Sequence, residues 1–195
     1  MTKAERTRQF IIERAAPIYN KKGIAGTAMS DIMAATKMAK GGLYGNFSSK
    51  EELSYAVVDH HLGLLAAALT EAVGKAEGAR GKLFAYLDFF RHPLQFPLPG
   101  GCPILNFGVE SDDTDPVVKE KVKGLIEAAQ AKAAGIIRQG IKSGEFKADF
   151  DARSFSILMF SAIEGGVLIG RVLHTNSQMG VVIGALKKMI EAALA

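Results

Sequence analysis

A chain of 195 residues with one cysteine, Cys102, cannot close an internal disulfide, and this usage suits a reducing compartment such as the cytoplasm. No basic stretch leads into an apolar run at the start of the sequence, so no secretory signal is expected. The most apolar run, 155–173, is interrupted by Glu164, Arg171 and several glycines, and reads as a buried helix of a soluble protein rather than a membrane span. Period-two alternation is missing throughout, as are internal repeats and low-complexity segments. That leaves an all-α fold.

Catalytic signatures are equally scarce. Neither G-x-S-x-G nor H-E-x-x-H occurs. Gly78-x-x-Gly81-Lys82 imitates a phosphate loop, but its spacing is short, Leu83 stands where a hydroxyl residue belongs, and no strand pattern precedes it. His60 and His61 are adjacent and diverge around a helix, which is poor geometry for a shared metal. The expectation is a non-enzyme with no cofactor and no metal.

Charge is present, and it is uneven. The total is +4, yet residues 1–50 hold nine Lys and Arg against only Glu5, Glu13 and Asp31, a net of +6, so that the remainder sums to −2. Clustered cations supply the salt-sensitive, sequence-independent part of DNA affinity through counterion release.

Helix signals run almost end to end. Thr2-x-x-Glu5 is a capping box, and Phe10, Ile11, Ala15, Ile18 and Tyr19 recur at helical spacing until Gly23 stops the first helix, with a kink expected at Pro17. Ser49-x-x-Glu52 opens a long helix toward Gly74. A break over 78–81 precedes an aromatic helix bearing Leu83, Phe84, Tyr86, Leu87, Phe89 and Phe90. Four prolines and two glycines make 91–103 a loop, followed by a short helix over 102–109. Thr114-Asp115-Pro116 starts a long helix toward Ser143-Gly144, and two more helices span about 151–173 and 177–194.

The segment 23–53, GIAGTAMSDIMAATKMAKGGLYGNFSSKEEL, is the most informative. Met29, Ile32 and Met33 follow Thr27, a good N-cap, in one short helix over 29–36; Leu43 and Phe47 mark a second over 40–47, leaving Lys40, Tyr44 and Asn46 to face elsewhere. Two short helices, a tight connection and a third helix opening at Ser49 form a helix-turn-helix layout. Gly41, Gly42 and Gly45 each cost a helix about 1 kcal/mol against Ala, so another demand selects them, such as close approach to a second surface.

Gly23, Thr27, Asp31-Ile32, Lys40-Gly41, Tyr44, Phe47, Ser49, Lys50, Glu51 and Leu53 together resemble the DNA-binding domain of the TetR family of transcriptional regulators. The resemblance implies a three-helix domain over 1–48 with the Lys40 helix in the major groove, and a larger helical domain over 49–195 that dimerises and binds an effector. It further implies a double-stranded operator with two-fold symmetry, a homodimer and a small-molecule effector that releases DNA. In that scheme Thr27, Lys40, Tyr44 and Lys50 hold phosphates, Asn46 reads a base edge, and Gly41 and Gly42 admit close backbone or thymine-methyl contact. Lys37 stands where the family usually has a turn glycine, and Ala39 where it usually has a capping Ser or Thr.

Candidates outside this domain divide two ways. Cys102 sits between Gly100-Gly101 and Pro103 at a helix start, where a dipole favours thiolate, and GCPILNFGVE resembles a segment in a branch of the family that includes electrophile-responsive repressors; packing and sensing are both open readings. Phe84, Phe89 and Phe107 are either core or the walls of an effector pocket. Glu164, beside Gly165-Gly166, is read as a hydrogen-bonding residue of a dimer interface rather than a ligand anchor.

Overall fold

The computed structural model describes residues 1–195. Nine α-helices and one short 3-10 turn make up the chain: α1 Lys3–Gly26, α2 Met29–Thr36, α3 Lys40–Tyr44, α4 Lys50–Gly74, α5 Gly78–Phe89, the 3-10 turn Pro93–Gln95, α6 Pro103–Ser111, α7 Pro116–Lys142, α8 Ala152–Val172 and α9 Ser177–Ala192. The all-α expectation holds, with Phe146 and Leu194 forming an isolated β-bridge. Two compact units share the chain, one of residues 1–65 with 97–123 and the other of 66–96 with 124–195.

In the first unit α1 packs on α2 and α6. Its core gathers Ile11, Ala15 and Tyr19 of α1, Ile32, Leu43, Phe47, Leu53, Val57, Val58 and His61, with Phe107 from α6. The helix irregularity in α1 lies at Gly23 (φ +77°), not at Pro17. Only glycine adopts that φ without strain, and the helical turn after it is anchored from α6, because Glu110 accepts from Ile24 N–H and Ala25 N–H, both at 2.7 Å. A second anchor lies at Asn20, whose Nδ2 donates to the carbonyls of Pro99 and Gly101 at 2.8 and 2.9 Å, while Asn106 Nδ2 donates back to Asn20 O at 2.9 Å.

The second unit pairs α8 with α9 and sets α5 on α9. Here α5 begins at Gly78, earlier than Leu83, because Glu145 supplies from a distance what the local sequence lacks. Its carboxylate accepts from Ala79 N–H at 2.6 Å and Arg80 N–H at 2.8 Å, next to Gly78 at φ +66°. Helix α8 starts where expected, since Asp151 accepts from Arg153 N–H and Ser154 N–H. Helices α4 and α8 are long and apolar enough to cross a membrane by length and composition alone, yet each buries a face inside its fold, for example Leu53, Val57 and His61 or Phe155, Met159 and Ile163.

Candidate nucleic-acid interface

The α2–α3 pair is held by local chemistry that departs from its sequence reading at three points. Ala28, not Thr27, occupies the N-cap of α2; Asp31 compensates by accepting from Ala28 N–H at 3.0 Å. Thr27 is 1% exposed and its hydroxyl donates to Gly23 O at 2.6 Å, so that group is turned inward rather than toward a phosphate. Lys37 closes α2 in the left-handed region (φ +59°), a conformation that costs an ordinary residue about 1 kcal/mol and explains why glycine is the usual occupant.

Helix α3 ends at Tyr44, three residues short of Phe47. Past its end Asn46 folds back, Nδ2 donating to Gly42 O at 2.8 Å, which caps the helix. Ala39 provides no side-chain cap, as its lack of a hydroxyl dictates. A Cβ placed on Gly41 would meet nothing within 4 Å, whereas one on Gly42 would meet Met38 Cε at 3.1 Å. Gly41 therefore presents bare backbone to solvent. Lys40 Nζ lies 5.8 Å from the centre of the Tyr44 ring, and Tyr44 itself is 41% exposed.

At the start of α4 Ser49 accepts from Glu52 N–H at 3.0 Å, one half of the expected capping box. The other half is shifted by one residue: Glu52 accepts from Ser48 N–H at 2.7 Å and Ser48 Oγ at 2.8 Å. Its second oxygen accepts from Arg8 Nη2 at 2.8 Å, and Arg8 also donates to the Asn46 carbonyl and lies 4.1 Å above the Phe47 ring. The Arg8 guanidinium, followed by the Ser48 amide and hydroxyl, holds the Glu52 carboxyl down at about 2. Arg8 thus ties α1 to the turn between α3 and α4. Sequence reasoning counted it only as charge, and Glu52 lies 44 residues away, beyond any local pattern.

Two of the domain's cations are held in ion pairs. Arg8 is paired with Glu52, and Lys22 with Asp31 at 2.8 Å, an interaction that lowers the Asp31 pKa. Lys37, Lys40 and Lys50, at the end of α2 and the starts of α3 and α4, are in none of the chain's ion pairs; Lys40 adjoins the exposed Gly41, and Lys50 lines a pocket with Ile24, Ala25 and Glu110.

The remaining candidates fall in both units. Cys102 is the N-cap of α6 and 1% exposed, with its carbonyl accepting from Asn106 N–H; burial denies reagents access, and the sensing reading loses its support. Phe107 is fully buried against the His61 ring at 5.8 Å, in the first unit. Phe84 lies under Arg80 and Lys187 at 4.3 and 4.6 Å, and Phe89 meets Phe90 edge-on at 4.9 Å, both in the second unit. Glu164 is buried within α8 at 7% exposure.

Two short helices with a tight connection, a bare Gly41 backbone next to Lys40 and a following long helix define a helix-turn-helix DNA-binding protein. Comparison with known proteins makes the class specific. Residues 11–57 match the model described as bacterial regulatory proteins, tetR family, and residues 79–186 match the Tetracyclin repressor-like, C-terminal domain. A TetR transcriptional regulator from Chloroflexus aurantiacus is 35% identical, covers 100% of this chain and 98% of its own, and superposes with a TM-score of 0.95. One from Cytophaga hutchinsonii is 33% identical over 100% of this chain and 98% of its own, with a TM-score of 0.94. The HTH-type transcriptional repressor DhaR of a Mycobacterium species is 23% identical over 161 residues, 83% of this chain and 80% of its own length. The chain belongs to the TetR family and is a DNA-binding transcriptional regulator.

Proposed function

We propose that the protein is a cytoplasmic, non-enzymatic repressor that docks as a homodimer on a palindromic operator and is released by a small-molecule effector. The observation that carries this reading is the exposed Gly41 backbone, bare of side-chain neighbours and next to Lys40 and the exposed Tyr44, with neither Lys40 nor Lys50 held in an internal ion pair. Lys40, Lys50 and the Tyr44 hydroxyl would position the phosphates; Asn46, through its amide oxygen, would contribute base-edge contact; Gly41 and Gly42 would let the backbone approach. Thr27 enters this scheme through its backbone position alone, because its hydroxyl is spent on Gly23. The functional division at residue 48 places the reading head in 1–48 and the dimer and effector functions in 49–195.

An exposed apolar face supports the dimer. Ile157, Leu158, Leu168, Ile169 and Val172 of α8 and Val181 and Met189 of α9 are all more than 40% exposed, and Val172 and Val181 reach 74%. Residues of the same two helices that also look apolar in sequence, such as Met159, Ile163, Ile183 and Leu186, are already buried within one subunit. A patch of this kind on a soluble regulator fits a second copy related by two-fold symmetry.

Footprinting on DNA flanking the protein's own gene tests the proposal. Two protected half-sites about one helical turn or a multiple apart are expected, lost when the salt concentration rises. Protection of one short asymmetric site by a monomer, or equal affinity for all sequences, overturns it.

A further inference from the structure

One lysine of the second unit, Lys132, forms none of the chain's ion pairs and meets a hydroxyl instead. Lys132 of α7 lies at the end of a groove of about 220 Å³ whose walls include Ala66 and Leu69 of α4 and Leu125 and Ala128 of α7. Its Nζ donates to Thr70 Oγ1 at 2.6 Å, and Thr70 in turn donates to Ala66 O at 2.7 Å. Lys132 takes part in none of the chain's ion pairs, and the nearest acidic residue along α4, Glu71, is occupied by Lys75 at 2.6 Å. Burial draws the amine's pKa below the ordinary lysine value.

A lysine stem crossing apolar surface normally carries its ammonium into water. Here the ammonium lines an apolar slot and donates to a neutral hydroxyl, that of Thr70, rather than to a carboxylate, and only one of its donors is satisfied within the chain. An anion would complete that environment, and the alanine walls would accept the carbon body attached to it. The slot is smaller than the ~300 Å³ at which pockets for drug-sized ligands begin, so it selects an unbranched chain without rings.

We propose that this groove binds a medium-chain, unbranched aliphatic carboxylate, its head group paired with Lys132 and Thr70 and its chain lying along Ala66, Leu69, Leu125 and Ala128. All the residues lining the site belong to the second unit. That such a ligand acts as the effector rests on the repressor reading above; that it binds does not.

Titration calorimetry of the full-length protein with sodium octanoate tests the site without DNA, so its outcome is independent of operator binding. Saturable binding is expected. It should weaken at least tenfold in Lys132→Met, which keeps the stem and removes the charge, and in Ala128→Leu, an exposed helical position where a larger side chain fills the slot without disturbing the core. Octylamine, of equal length and opposite charge, should give no saturable heat. Absence of octanoate binding, equal binding of octanoate and octylamine, or parental affinity in both variants overturns the proposal. Addition of octanoate to a gel shift on the operator then separates the two ideas: DNA retained while calorimetry shows binding removes the effector role and leaves the site.

Discussion

Removing the Glu110 carboxylate should loosen the joint between α1 and the helix-turn-helix, and its size can be worked out from two hydrogen bonds. Glu110 accepts from Ile24 N–H and Ala25 N–H at 2.7 Å, the first partly buried and the second exposed. Hydrogen bonds to a charged group contribute about 1.5–3 kcal/mol each when shielded; water can replace the outer one, so Glu110→Ala should cost about 2 kcal/mol in total. For a chain of this length that is a fall in Tm of about 4–8 °C. Glu110→Gln retains one acceptor oxygen without the charge and should cost about half as much.

Gly23 provides the internal control. Gly23→Ala strains a residue at φ +77° and places Cβ 2.7 Å from Glu110 Oε2, so the carboxylate must move and its hydrogen bonds go with it. Since both substitutions break the same contacts, the double variant Gly23→Ala/Glu110→Ala should lose less than the two single losses combined, a coupling of at least 0.5 kcal/mol. Circular dichroism melts of the four proteins supply the cycle. An additive result, or a Glu110→Ala melt within about 1 °C of the parent, would refute the clasp and reduce Glu110 to a solvated surface residue.

Further expectations concern separate parts of the molecule. Lys50→Ala should weaken binding to all DNA sequences alike and flatten the dependence of log K on log salt by about one unit, whereas Asn46→Ala should relax preference at particular bases; titrations at several salt concentrations distinguish them. Val181→Arg should convert a sedimenting dimer to a folded monomer, while Leu186→Arg, at a position 3% exposed inside its own subunit, should unfold the chain instead. Within α7, Gly140→Ala should destabilise by about 1–3 kcal/mol because its Cβ would sit 2.6 Å from that of Ala79 and against the Phe146 ring, whereas Gly124→Ala, with nothing within 4 Å, should stabilise by up to ~1 kcal/mol.

Legibility in the sequence followed the range of the interactions. Helix starts at Ser49, Asp115 and Asp151 were readable because cap and capped amide lie within three residues of each other. The α5 start was misplaced because its cap, Glu145, comes from 66 residues away. The reading head was legible as a motif, since Lys40, Tyr44 and Lys50 stand in register along one short segment, but the reason Thr27 turns inward was not: it depends on Gly23 adopting a left-handed φ, which in turn depends on Glu110. Arg8 and Glu110 carry no local signature, being single charges among many. For the aromatic residues, helical spacing says that Phe84, Phe89 and Phe107 face inward from their helices and nothing about which neighbours they meet.

Acid should act on the first unit through His61 before it reaches the carboxylates. His61 is 2% exposed, with Nε2 donating to Ala16 O at 2.7 Å and Nδ1 without a partner, and its ring rests against Phe107. Burial lowers its pKa, the Ala16 carbonyl opposes that shift, and His60 adds to it. The folded state therefore keeps His61 neutral while the unfolded chain takes up a proton near the ordinary value of about 6.5, so stability is full above that pH and falls as the pH drops below it. Glu52 works in a lower window. With its folded pKa at about 2, its contribution persists until the pH falls below the usual carboxylate range of about 4.5. Melting curves at pH 7.5 and 5.5 isolate the histidine: the parent should lose Tm across that interval and His61→Gln should lose less. A parent Tm that is flat from 7.5 to 5.5, or an equal loss in the variant, would show that protons enter this core by another route.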